Sequence, residues 1–196
     1  MTRALRQICY ITRPEDFDAT LEYWTEALGA GPFYVFAVDL LEATFRGEPS
    51  RSAGRVALTM MGDGQVEIIA ATAPDAEIYT EWIRTRGPVP RGGLFHHFRI
   101  DTDDFEGTCR QLVDNGAREG LRAKAPGDRD VAYVDARDTL GCYVEVISQN
   151  EDVLTMITKM REVCDSWDGS EPVRDYIGFM QETLGRATPG YAPSGS

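Results

Sequence analysis

Two short segments of this chain, Gln65-Val-Glu-Ile-Ile69 and Tyr143-Val-Glu-Val-Ile147, are near copies of each other. Each sets one carboxylate, Glu67 or Glu145, in the middle of a β-branched run that reads as a buried strand. An ionised carboxylate alone in such a strand is costly, so it demands a cation, a proton or a ring of donors. A second matched pair lies upstream, Leu5-Arg-Gln-Ile-Cys-Tyr-Ile11 and Leu94-Phe-His-His-Phe-Arg-Ile100, and supplies Gln7 and His97. Four polar groups at corresponding places in two repeated halves are the signature of a metal site on a pseudo-twofold axis.

The repeat extends to whole halves. Residues 4–12 read as a strand, and Pro14-Glu-Asp-Phe17 opens an amphipathic helix with Phe17, Leu21, Trp24 and Leu28 on one face. Gly29 and Gly31 end it before Pro32. Strands over Phe33–Leu40, Arg55–Met61 and Gln65–Ala71 complete a β-α-β-β-β unit, residues 1–73. A short helix near 75–85 and the Gly/Pro-rich run Gly87–Gly93 link it, across residues 74–93, to a second such unit at 94–149. There a strand over Leu94–Asp101 precedes a helix capped by Thr102 or Asp103, carrying Phe105, Cys109, Leu112 and Val113 and closed by Gly116. Strands near Arg118–Ala123, Val131–Asp135 and Cys142–Ser148 follow. The fold class expected is α+β, a curved mixed sheet around a central site. Residues 150–185 add helices, one with the stripe Val153, Ile157, Met160 and Cys164, another starting at Pro172 with Val173, Ile177, Met180 and Leu184. These pack on the core or on another subunit, and Arg186–Ser196 reads as a flexible tail.

The net charge of −12 argues against nucleic acid as a partner. The apolar runs are too short and too often broken by charge to span a membrane, and the N-terminal stretch lacks a secretory apolar core, so the expected location is the cytoplasm. Cys9, Cys109, Cys142 and Cys164 show no Cys-x-x-Cys spacing and read as thiols. An anionic substrate such as an acyl-CoA needs a local basic patch, for which Arg84, Arg86 and Arg91 are candidates, although three such arginines are more often solvated surface.

Leu28-Gly-Ala-Gly-Pro-Phe33, Val66-Glu-Ile68, Leu94-Phe-His-His-Phe98 and Asp135 through Leu140-Gly-Cys-Tyr-Val-Glu145 occur in an order that resembles the vicinal oxygen chelate superfamily. That superfamily includes glyoxalase I, methylmalonyl-CoA epimerase, extradiol dioxygenases and bleomycin-resistance proteins. The match covers roughly residues 4–148, and the first and third of these landmarks look closest to the epimerase-like branch. The resemblance carries the metal-ligand positions onto Gln7, Glu67, His97 and Glu145, an order similar to one class of glyoxalase I. Epimerases more commonly have His where Gln7 stands. The resemblance also implies a homodimer.

Because side chains alternate along a strand, His96 and His97 are expected to face opposite ways, with His97 inward and His96 outward or packed against a loop. One imidazole, two carboxylates and one amide oxygen suit zinc, nickel, cobalt, manganese or iron(II). The plainer alternative makes Gln7 a satisfied core amide and the two glutamates hydrogen-bonded strand residues. With metal, two neighbouring substrate oxygens would be polarised while a carboxylate removes a proton next to a carbonyl, through a metal-stabilised enediolate or enolate. Glu145 is the expected base, as in glyoxalase-like relatives, and Glu67 the group that returns the proton. Cys9, Phe95, Arg99 and Tyr143 are expected on the same strand faces, lining a substrate pocket. Arg99 is expected either to hold an anionic group or to pair with Glu67 or Asp135, and Cys9 to be a core thiol. The reading is a metal-dependent isomerase, epimerase or lyase acting on a small carbonyl compound, of which a CoA thioester is one class. The rivals are a resistance-type binding protein without catalysis and an iron-dependent dioxygenase. The latter is disfavoured, because a facial triad needs two inward histidines.

Overall fold

The computed structural model describes residues 3–186 and 190–193. In the first half, β1 (Arg3–Thr12) leads into α1 (Phe17–Leu28), then β2 (Phe33–Asp39), β3 (Leu41–Phe45), β4 (Glu48–Pro49), β5 (Ala53–Met61) and β6 (Gly64–Ala71). The helix forms where its spacing predicts, with Phe17, Leu21 and Trp24 buried but Leu28, in its last turn, exposed, and Gly29 closes it at φ 67°, donating its N–H to Thr25 O. After α2 (Glu77–Arg86) come β7 (Leu94–Thr102), α3 (Phe105–Asp114), β8 (Arg118–Ala125), β9 (Arg129–Ala136) and β10 (Cys142–Ser148). The cap of α3 falls one residue later than the sequence suggests: Asp104 Oδ1 accepts from Gly107 N at 3.0 Å.

The strands make one sheet, ordered β2-β5-β6-β1-β7-β10-β9-β8 through its centre. β1 and β7 run antiparallel side by side, and each is flanked by the parallel last strand of its own half, β6 or β10. This is the duplicated α+β architecture expected. The pleat then sorts the side chains. Val66, Ile68 and Ala70 of β6 pack with Phe17, Leu21 and Trp24 of α1, while Val144 and Val146 of β10 pack with Cys109 of α3. The intervening positions, Glu67 and Glu145 among them, therefore face the other side.

That side is concave, because the sheet curls until its rims nearly meet. Leu40 alone separates β2, at one rim, from β3, which pairs with β8 at the opposite rim. Gly120 makes room there: a Cβ on it would lie 2.3 Å from Tyr133 O, and its own carbonyl accepts from Arg46 N. Neither β3 nor β4 is expected from the sequence, whose polar, weakly alternating 41–49 stretch carries little strand signal.

The C-terminal elements cover the concavity. α4 (Glu151–Asp165) buries Met156, Ile157 and Met160 against the core, so it packs on its own chain. The second helix differs from expectation. Val173–Asp175 is a strand, β11, added parallel to the free edge of β2, and α5 (Tyr176–Leu184) starts only where Asp175 caps it through Gly178 N. The open edge of β2 offers main-chain partners that an isolated helix turn lacks. The tail is also pinned in part: Tyr191–Ala192 form β12 against β2, with Tyr191 edge-on to Phe36 at 5.1 Å. The rest of that tail, residues 187–189 and 194–196, lies outside the described residues. Among the described residues no helix is long and apolar enough to cross a membrane.

Candidate metal centre

On the concave face, His97 Nε2 lies 3.5 Å from Glu67 Oε2 and 3.6 Å from Glu145 Oε2, one acid from each half. These separations are too long for a good hydrogen bond, and both His97 Nε2 and Glu67 Oε2 are buried without a partner. Two donors each about 2.1 Å from one tetrahedral ion stand roughly 3.4 Å apart. The unpartnered atoms are thus spaced as ligands are spaced. Cys9 joins them: its Sγ, a Glu67 carboxylate oxygen and a His97 nitrogen lie within 4.8 Å of one another. The register explains the meeting, since Cys9 pairs with Glu67 across β1–β6 and with His97 across β1–β7.

Gln7, the residue to which the family pattern assigns the first-strand ligand, sits one pleat further along. Its Oε1 accepts from Arg99 Nη1 at 2.7 Å, and its Nε2 has no partner. Arg99 in turn donates from Nε to Asp101 Oδ1 at 2.8 Å. Its partner is thus Asp101, two residues along its own strand, and neither Glu67 nor Asp135; Asp135 is held by Arg137. Arg99 still borders the cavity above the two glutamates.

The expectation for His96 is overturned. Cys9 pairs with His97 but Tyr10 with Phe95, so His96 is an extra residue, a β-bulge, and both imidazoles turn inward. The same bulge inverts Phe95: it is 38% exposed, edge-on to Tyr10 at 5.6 Å, and not part of the cavity wall. Tyr143 is buried beneath His96, their ring centres 5.0 Å apart, and belongs to the floor rather than the lining.

The electrostatics follow from burial and pairing. Burial disfavours a charged His97, but Glu145 and Glu67 outweigh it and raise its pKa above the ordinary value. Burial likewise works to raise Glu145, yet His97, Arg99 and the Tyr133 phenol lower it, so it is ionised at neutral pH. Burial, then the Glu67 charge, push the Cys9 thiol well up. Without a cation beside it, Cys9 keeps its proton.

Two tyrosines escape the sequence reading. Tyr133 pairs in register with Glu145, stands edge-on to His97 at 4.9 Å, and neighbours Tyr79, whose hydroxyl is 3.0 Å from Ser52 Oγ. The alternation of the strand puts Tyr133 on the same concave face as Val131, and its register with Glu145 sets the two side by side there. The cavity wall continues through Phe36, Met156, Met160 and Tyr176 to Arg129 at its mouth, which is braced by Pro126 O. Arg84, Arg86 and Arg91 are elsewhere, engaged with Glu77, the Trp82 ring and Glu22.

The model of the glyoxalase/bleomycin resistance protein/dioxygenase superfamily matches residues 6–133. The chain belongs to that superfamily. Among solved structures, a hypothetical protein from Bacillus halodurans C-125 aligns at TM-score 0.53 and 14% identity, over 76% of this chain and 96% of its own. Methylmalonyl-CoA epimerase from Mycobacterium tuberculosis aligns at TM-score 0.51 and 16% identity, over 76% of this chain and 90% of its own. At these identities the likeness is one of fold. Comparison with curated proteins finds no match. The donor set fits a divalent metal: the Cys9 thiol, the Glu67 carboxylate and the His97 imidazole cluster, Glu145 Oε2 stands 3.6 Å from that imidazole, and two of the buried donor atoms are without partners.

Proposed function

We propose that this protein is a metal-dependent isomerase or epimerase that moves a proton on the carbon beside a carbonyl group. The observation that carries the reading is the unpartnered His97 Nε2 held between Glu67 and Glu145. His97, Glu67, Glu145 and Cys9 would hold a divalent ion, of the zinc, nickel, cobalt, manganese or iron(II) class. When bound, the ion polarises neighbouring substrate oxygens and lowers the cost of the negative charge that develops there.

The chain's own residues do the rest. Glu145 is ionised and takes the proton; Tyr133 orients that carboxylate and donates to it. Glu145 loses the proton it takes to solvent, and Glu67, in the other half of the sheet, relays a solvent proton to the opposite face or the adjacent carbon. The aromatic and methionine walls exclude water and hold an apolar or thioester body. Arg129, at the mouth, offers a cation to an anionic substrate such as an acyl-CoA. By family likeness the enzyme works as a homodimer, and its four free thiols suit a reducing cytoplasm.

In the presence of a generic acyl-CoA or α-hydroxy-ketone panel, Glu145→Gln should lower solvent deuterium exchange by roughly 10²- to 10⁴-fold and retain metal. Unchanged exchange in that variant removes Glu145 as the base. A second reading, sequestration of an apolar ligand, draws support from the apolar cavity wall of Phe36, Met156, Met160 and Tyr176. Protein purified without chelators and lacking stoichiometric metal would favour it.

A further inference from the structure

We infer that His96 is a positioning residue that fixes the tautomer of His97 and so presents the His97 Nε2 lone pair to a metal. The inference takes its functional meaning from the proposed metal site, but the protonation pattern it assigns can be read without metal.

One carbonyl sets the order of the protons. His96 Nε2 is 3.0 Å from Ile78 O in the first turn of α2. A carbonyl oxygen only accepts, so this nitrogen carries a proton. His96 is wholly buried among aromatic rings, where a second proton would be an uncompensated charge, so the ring is neutral. Its Nδ1 is therefore bare and accepts. The atom facing it, at 2.8 Å, is His97 Nδ1, which must donate. The proton of His97 is thereby committed to the side away from the acids, and Nε2 is left as the group that a cation can take. The reverse order of protons would set a bare His96 nitrogen against the Ile78 carbonyl.

The arrangement depends on the bulge, which alone brings two consecutive imidazoles to one side of the strand. It is held rigid as well: the rings of Tyr143, Trp82, Tyr79 and Tyr133 surround His96 with centres 5.0 to 6.0 Å away. Both histidines are fully buried, so water does not compete for these nitrogens. The helix between the two halves thus reaches the metal position through a single carbonyl.

The chain has only two histidines, so a long-range ¹H–¹⁵N correlation spectrum of histidine-labelled protein reads both directly. His96 should show a protonated Nε2 and a bare Nδ1, and His97 a protonated Nδ1, in metal-free and zinc-loaded protein alike. Zinc should change only His97 Nε2. A protonated Nδ1 on His96, or a bare Nδ1 on His97, overturns the inference. In a zinc titration His96→Phe should bind roughly 10- to 100-fold more weakly, while His96→Gln, which keeps an acceptor, recovers most of the affinity. Equal affinity for wild type and a folded His96→Phe also overturns it. If zinc fails to bind the wild type, the metal reading falls, and the metal-free spectrum still decides the tautomers.

Discussion

Which residue of β1 would serve the proposed metal is the sharpest question at the scale of single side chains. Gln7 is engaged by Arg99, whereas Cys9 lies with Glu67 and His97. Cobalt-loaded protein should therefore show a thiolate-to-cobalt charge-transfer absorption that Cys9→Ala removes and Gln7→Ala leaves. Absence of that band from cobalt-loaded wild type would return the ligand role to Gln7. His97 makes a second expectation. Its pKa is raised, so at pH below that value metal-free protein carries a second proton, on Nε2, that metal must displace. Zinc affinity should thus fall about tenfold per pH unit once the pH drops below that pKa, with the decline beginning above pH 6.5. In metal-free protein the sign is opposite: the imidazolium's stabilisation is complete below its unfolded pKa and is lost as pH rises through the folded one. Zinc titrations and thermal melts across pH 5.5 to 8.5 would check both. The sequence makes the two glutamates and His97 legible because alternation alone dictates their faces. His96 and Phe95 are not legible, since nothing in Leu94-Phe-His-His-Phe98 marks the inserted residue.

At the scale of elements, the covering helices decide what the cavity is. Hydrophobic spacing says which stripe of α4 is buried, not against what, so its closure of the concavity is visible only in the fold. Met160 is buried at 1% exposure, receives Gln65 Nε2 at 3.8 Å, and lines the cavity. Met160→Ala should destabilise the protein by about 2–5 kcal/mol, read from chemical denaturation. A cost under 1 kcal/mol would mean that α4 is not seated as described. The strand β11 shows the complementary limit of sequence reading. Val173 and Ile177 fit a helical stripe locally, yet the unpaired edge of β2 claims the first of them.

Across the whole molecule, α2 is the joint. Glu81 accepts two hydrogen bonds from Arg46, beside the β3–β4 turn, at 2.8 and 2.9 Å. It also meets Arg137, past the end of β9, at 3.3 Å. Arg46 and then Arg137 lower the Glu81 pKa; for Asp135, burial opposes ionisation but Arg137 more than compensates. Depressed carboxylates stabilise above their unfolded pKa and lose that contribution as pH falls through the folded value, so the window lies below about pH 4. Arg137→Ala should flatten the acid limb of the stability profile, measured by thermal melts from pH 2.5 to 7. An unchanged limb would deny the joint its electrostatic role. The duplication was legible from two near-identical strands, but its interlock was not. β2 passes straight into β3, so the first half reaches both rims of the sheet, as β2 beneath β11 at one and as β3 and β4 beyond β8 at the other. Prising the halves apart must therefore rupture main-chain pairing at two distant seams together, and a once-symmetric duplicate has become a clasp with no half able to let go alone.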